Sequence, residues 1–506
     1  MRQNIFFLLL ILVCYKSTQG NDTMTVHRRT YLWHTNEHVI IGLGYNQPTL
    51  KHFFPFKDYA SISATAFTRN SDTHNLHYKG THKKLFSAKT EGYKRNGKSA
   101  LFGEAAYIKG KSRNIKWSHA DDHHRLGPYL IADTTTGNPK YETYLLSGGL
   151  SRETRLGMWG MSADYRAKNR YRTSDPRSYS VISDFSLLVN WSVPLRSNLI
   201  PNISVSYGHY EQDVSIRNVQ SDRTDRFYFL YGYGFYNQQI SGTNKNYSLN
   251  YKGDNIKLTG QLLPLKDTGP YVSVQFIQEA IDALHHNRIR GNYLTNKLQS
   301  FAGYQKKKNK TQYRIGMEAN LYRGVGTEYY YEQVVVDTST MLSESRLLTK
   351  NQKYIQNKTL LALSIKGWFR LGHFRINPSL KAGIHTADSK YKTTPFKTAR
   401  NQGLVSTGLE LIKIREHSLT GMTIKSTYLN TRNMEQILPK ENHIVQNTLS
   451  PDDNYLTASK SAISIATQHI HTMENEIAWR IQVGYHLIKY QNKRQSTLHV
   501  SLSLIL

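Results

Sequence analysis

The sequence predicts an all-β chain: a single transmembrane antiparallel β-barrel of roughly 16 to 24 strands behind an N-terminal signal peptide. Three observations predict it. Apolar residues recur with a period of two, the recurring stretches are long for strands of a soluble sandwich, and tyrosine is abundant, with 35 Tyr against 17 Phe and 6 Trp.

The leader comes first. Arg2 precedes the apolar run Ile5 to Val13, which ends in the small or polar stretch Ser17-Thr18-Gln19-Gly20. This is the layout of a secretory signal, too short to span, with cleavage expected after Gly20. The chain then divides as 1–20 signal peptide and 21–506 barrel domain. Cys14 goes with the leader, so the exported part would hold together without a disulfide.

The strands follow. From Val181 the odd positions read Val181, Ser183, Phe185, Leu187, Val189, Trp191 and Val193, while Asp184, Ser186, Asn190 and Ser192 alternate with them. Side chains alternate across a strand, so one face is apolar and the other polar. The same beat returns at Tyr313 to Leu321, Phe374 to Ile384, Ile477 to Leu487 and Leu498 to Leu506. Stretches of about nine to fourteen residues suit strands crossing a bilayer at a tilt. Turn-rich or polar segments separate them: Arg95-Asn96-Gly97-Lys98, Ser174-Asp175-Pro176-Arg177, Pro264 to Pro270, and Thr431 to Asp453. Ile277, Ala280, Ile281 and Leu284 have helical spacing and predict a short loop helix. Phe227, Phe229, Tyr231, Tyr233 and Phe235 share a strand face and predict part of the aromatic belt at a membrane interface.

Composition narrows the class. Lys+Arg 66 against Asp+Glu 36 gives a net charge of +30, while 39% of the residues are hydrophobic. That content argues against a disordered chain. A mean hydropathy of -0.56 without further long apolar runs argues against a bundle of spanning helices.

Within this frame the stretch from Leu101 to Asp184 resembles an uncharacterised family of outer-membrane β-barrel proteins from Bacteroidota. The carrying residues are Phe102-Gly103-Glu104-Ala105-Ala106-Tyr107, Trp117, Asp121, Asp122, Pro128-Tyr129, Ala132-Asp133, Tyr144, Gly148 and Gly149. Tyr165-Arg166-Ala167, Tyr171-Arg172, Asp175-Pro176-Arg177 and Asp184 continue it. The resemblance implies the barrel fold and an outer-membrane location, and no activity. It raises interest in Asp121 and Asp122 without saying what they do, and Asp121, Asp122, Tyr129 and Asp133 stand as ligand or lumen candidates.

Other motifs divide between chemistry and turns. Gly92 to Ser99 has P-loop spacing, yet a strand follows it, so it reads as a hairpin around Asn96-Gly97. His119, Asp121, Asp122, His123 and His124 form the densest group of potential metal ligands. Adjacent strand residues point apart, so a solvated loop is the preferred reading, no metal or other cofactor is expected, and His119, His123 and His124 stay weak metal candidates. Asp133 to Asn138 begins like a calcium loop without its later acidic ligands and reads as a turn. If Trp159, Met161, Ala163 and Tyr165 face lipid, then Asp164, Arg166, Lys168, Arg170 and Arg172 face the lumen. Such a ladder either favours anions or is neutralised by carboxylates of a wall strand or plug loop, and the neutralised network is preferred. Residues 115–142, with Trp117, Pro128 and Tyr129, are expected to fold inward as a constriction. Lys306, Lys307, Lys308 and Lys310 read as a loop open to acidic lipopolysaccharide groups.

No Gly-x-Ser-x-Gly or His-Glu-x-x-His motif appears. The sequence therefore points to a channel or surface receptor for a small, anionic or sugar-like ligand. The length favours passive passage over an energised receptor with a separate plug domain. Expected partners are outer-membrane lipid and lipopolysaccharide, the outer-membrane assembly machinery and other envelope proteins, and not nucleic acid. The alternatives are a structural or secretion-accessory barrel, a barrel hydrolase acting on lipid or peptide, and a soluble secreted adhesin.

Overall fold

In a computed structural model the described residues are 25–26, 29–30 and 39–506, apart from 45, 74, 221–225, 244–245, 338–341, 441 and 474–476. The expected signal peptide, 1–20, lies outside them. Eighteen strands form one sheet. In chain order they are β1 Asp58–Ser71, β2 His82–Asn96, β3 Ser99–Arg113, β4 Lys140–Thr154, β5 Gly157–Tyr171, β6 Arg177–Ser192, β7 Leu199–Arg217, β8 Asn246–Pro264 and β9 Gly269–His285, then β10 Arg288–Lys308, β11 Thr311–Asp337, β12 Leu342–Leu371, β13 Phe374–Tyr391, β14 Lys397–Ile414, β15 Ser418–Ile437, β16 Lys460–Thr472, β17 Ala478–Tyr490 and β18 Lys493–Ile505. Each pairs antiparallel with the next, and β1 pairs with β18 from Ser61↔Ile505 to Ser71↔Gln495. That last pairing closes the sheet, so no edge is left open.

Alternation explains why these segments form a wall. On β12 Leu361, Leu363 and Ile365 are exposed while Ala362 between them is buried, and on β11 Ile315, Met317 and Leu321 are exposed likewise. An apolar outer face of this kind is the lipid face of a transmembrane barrel. Aromatic rings border it at two heights, as on β6, where Tyr179 and Trp191 share the outer face twelve positions apart. That is about 40 Å along the strand, or about 30 Å along the normal at a barrel tilt. Trp159 meets Trp191 at 6.1 Å near one rim, and Tyr107 meets Tyr144 at 5.2 Å near the other.

The two rims differ. At one, hairpins are short: Asn96 pairs with Ser99, with Gly97 at φ 53°, as the Asn-Gly signal requires. Ser99 begins the strand that excludes a P-loop. At the other rim the connections 114–139, 218–245 and 438–459 are long and fold into the lumen. They pack with inward wall residues Tyr210, Tyr251, Ile281 and Tyr293 into one core. A second core near the short-turn rim joins Leu50, Phe54 and Phe56 of the N-terminal segment to Tyr59, Tyr93, Ile200 and Leu263. Among the described residues, a buried core thus lies toward each end of the barrel.

Four expectations are corrected. Residues 277–284 are not helical but lie in β9, where Glu279, Ile281 and Ala283 are buried on the lumen side. The plug makes that side apolar too, which breaks the alternation and imitates a helical period. Phe227 to Tyr236 is not a belt: Arg226–Gly232 forms a short strand within the lumen, paired with Ile131–Ala132, and Phe227 and Phe229 are fully buried. Lys306 to Lys308 end β10 rather than form a loop, and Lys307 pairs with Asp267 at the short-turn rim. The His119 to His124 group is not solvated, as the next section shows.

Candidate functional site

The inner face of β5 presents the cation ladder. Arg166 donates to Asp122 Oδ2 at 2.5 Å and to Asp184 Oδ2 at 3.0 Å, and Lys168 Nζ donates to Asp121 Oδ1 at 2.8 Å. Arg170 donates to the carbonyl of Ala120 at 2.8 Å and Arg172 to that of Ser118 at 3.1 Å. The plug answers with its own cation: Arg125 donates to Asp184 and to Glu279 of β9, at 2.8 and 2.9 Å, and lies over the Tyr210 ring. Burial pushes the Asp121 and Asp122 carboxyls up. Arg170 and Lys168 at Asp121, and Arg166 at Asp122, nevertheless hold both below the ordinary carboxylate range. The ladder is a fastening: every cation from 166 to 172 is engaged by residues 118–133 or by Asp184.

The remaining candidates belong to the same fastening. His119 is fully buried, its Nε2 3.2 Å from Asp133 Oδ1, with Arg172 3.9 Å from the same oxygen. Burial lowers the His119 imidazole, whereas His119 and Arg172 keep Asp133 ionised against its own burial. Ser118 Oγ and His123 Nε2 lie 2.5 Å apart, and His123 stacks on Tyr78 with ring centroids at 4.1 Å. Ser118 is fully buried and does not line the cavity described below, whereas His123 does. Among the described residues, no three His, Cys, Asp or Glu side chains converge to hold a metal ion. Tyr129 is fully buried against Phe229 and Tyr231. Wall glycines admit it: a Cβ on Gly291 would stand 2.7 Å from its ring.

A cavity of about 340 Å³ lies between the inturned loops and the opposite wall. This is the size of a small-molecule site. Four loops supply one side, through His77, His124, Pro128, Tyr233 and the helix Leu449–Thr457. Strands β10 and β12 to β14 supply Tyr293, Tyr354, Gln356, Lys358, Ser389 and Arg400. Asp452 accepts from the backbone N–H of His77 and lies 2.8 Å from its Nδ1, and Asp453 accepts from Gln436. Burial pushes the Asp453 carboxyl up to about 6 and the His123 imidazole well below its ordinary value. Sequence reasoning missed Lys358 and Arg400. The signal was present for Lys358, which alternates with the lipid-facing Leu361, Leu363 and Ile365.

A closed sheet with an apolar outer band and inturned loops bonded to its inner face defines a transmembrane β-barrel. The chain belongs to the Family of unknown function DUF6850, whose sequence model matches residues 48–506. Comparison with curated proteins gives no match. Solved structures with a similar chain course include the siderophore receptor PirA from Acinetobacter baumannii, at 10% identity, 88% of this chain and 80% of that one, TM-score 0.42. The outer membrane transporter YddB from Escherichia coli gives 8%, 88%, 80% and 0.42 in the same order. BauA, the ferric preacinetobactin receptor from Acinetobacter baumannii, gives 8%, 88%, 80% and 0.40. Likeness at this level carries no statement about ligand or activity.

Proposed function

We propose that this chain is an exported outer-membrane barrel of a Bacteroidota cell envelope that works as an occluded surface receptor for a small ligand, not as an open pore. The observation that carries the reading is the cavity roofed by four inturned loops on the long-loop side, behind a plug fastened to β5. In outer-membrane barrels long loops face outward and short turns inward. A ligand from outside then meets the cavity first, and passage requires the loops to release. Outer-membrane lipid and lipopolysaccharide are the surroundings of such a barrel and the assembly machinery inserts it. The passive passage favoured by chain length gives way to this reading because three long connections pack with inward wall residues into one core.

Surface labelling tests it. The β11–β12 hairpin projects beyond its neighbours, since β10 pairing stops at Glu328 and β13 pairing at Tyr354, and Leu348 on it is exposed. In intact cells Leu348→Cys should react with a membrane-impermeant maleimide and Gly372→Cys, in the β12–β13 turn, should not. The reverse pattern would put the cavity on the inner side and end the receptor reading.

A further inference from the structure

The cavity wall carries a charge pattern that the plug-bearing wall does not. Lys358 of β12 and Arg400 of β14 both stand level with Ala387 of β13, through the pairs Lys358↔Ala387 and Ala387↔Arg400. Two strand spacings put their backbones about 10 Å apart. The small alanine between them leaves room for both side chains to reach one ligand. No carboxylate forms an ion pair with either cation among the described residues, and the buried Nε of Arg400 has no partner. Lys358 instead lies over the ring of Tyr322 at 4.7 Å. The neighbouring acids have partners of their own: Asp452 binds His77 of another loop, and Asp453 accepts from Gln436 of β15 while it feels the charge of Arg400. Lys460 adds a further positive charge near Arg400.

Rings complete the pattern. Tyr233, Tyr293 and Tyr354 line the same cavity, with Tyr354 6.3 Å from each of the other two. An anion with a flat body would place its charge between the cations and its ring against these faces, and buried charge-assisted bonds are the strong ones. We propose that the cavity binds a small carboxylate carried on a ring-shaped body, with Lys358 and Arg400 as the residues that hold its charge. The proposal rests on the receptor reading and names the ligand chemistry of that same site. Two sources share this chemistry, a sugar acid and an aromatic acid.

Calorimetric titration of the detergent-purified full chain separates them, with galacturonate and benzoate as probes and galactose and benzyl alcohol as their neutral counterparts. At least one acid should bind about tenfold or more tightly than its counterpart. Lys358→Gln and Arg400→Gln should each weaken it by about tenfold, Arg400→Lys should retain most of it, and Arg155→Gln, in the β4–β5 turn, should leave it unchanged. Heat-modifiable migration on a gel confirms that each variant is a folded barrel. The proposal is overturned if neither acid binds, if neutral and acidic partners bind alike, or if both glutamine variants fold and bind as the parent does. Should that happen while Leu348→Cys still labels from outside, only the ligand class fails; if the labelling reverses, the receptor reading fails with it.

Discussion

Two stretches of the inner wall hold cations in the same way and use them differently. On β5, Arg166, Lys168, Arg170 and Arg172 meet the carboxylates and carbonyls of residues 118–133. On β12 and β14, Lys358 and Arg400 meet a cavity. The strand pattern that turns these side chains inward is identical, so the difference comes from the loop brought against each wall. A lumen cation is a fastening where a folded-in loop bonds it directly and a candidate ligand contact where the loops leave a cavity before it.

The largest expected effect comes from removing the fastened loop. Joining Asn114 to Asn138 in place of residues 115–137 should turn a silent barrel into one with steady conductance, read in a planar bilayer. If the deleted barrel folds and stays silent, the N-terminal core is sufficient to seal it.

Next in size is the cost of breaking the network at one point. Arg166→Gln leaves Asp122 without its main partner and Asp184 with Arg125 alone, and should loosen the docking of residues 114–139 by about 3 kcal/mol. Lys358→Gln removes no ion pair and should change stability by less than about 0.5 kcal/mol. Hydrogen exchange of residues 114–139 in the two variants reads this difference directly, and equal effects would erase the distinction between the walls.

Acid sharpens the comparison with a smaller, two-signed effect. Burial lowers His123, so the docked loop holds it neutral while the released loop protonates it as pH falls through 6.5. Docking of 114–139 therefore weakens from neutral pH downward. Burial raises Asp453 from 3.8 to about 6, so its docked form keeps a proton that the released form loses between those values. Docking of Leu449–Thr457 therefore strengthens as pH falls from 7 toward 4. Exchange rates of the two segments, corrected for intrinsic pH dependence, should move in opposite directions between pH 7 and 5.

The smallest effect concerns a lower row of the same cavity-bearing wall. Arg314 pairs with Lys366, and through Ser379 and Gly408 the row reaches Lys425. In the loop-deleted barrel, Lys366→Gln with Lys425→Gln should lower the anion-to-cation permeability ratio by about two- to threefold, measured from reversal potentials.

These contrasts also show what the residues disclose on their own. Strands whose outer face meets lipid and whose inner face stays largely polar keep a clean period of two, and Val181 to Val193 announces β6 without help. Where the plug covers the inner face both sides turn apolar, and Ile277 to Leu284 imitates a helix. The inward direction of Arg166 to Arg172 follows from alternation, whereas their partners do not. Asp121 and Asp122 are 47 and 44 positions from Lys168 and Arg166, and only the fold closes that distance. The inward direction of Lys358 was legible in the same way, but nothing in the sequence marks Lys358 and Arg400 as level with one Ala387.

The central claim is that the plug, pinned to β5, closes the lumen. Single-barrel conductance of the refolded wild-type chain tests it most directly, after heat-modifiable migration has confirmed folding. The account predicts no steady current at pH 7 and open events when Arg166 and Lys168 are both changed to Gln. Large, steady conductance of the wild-type barrel would contradict it.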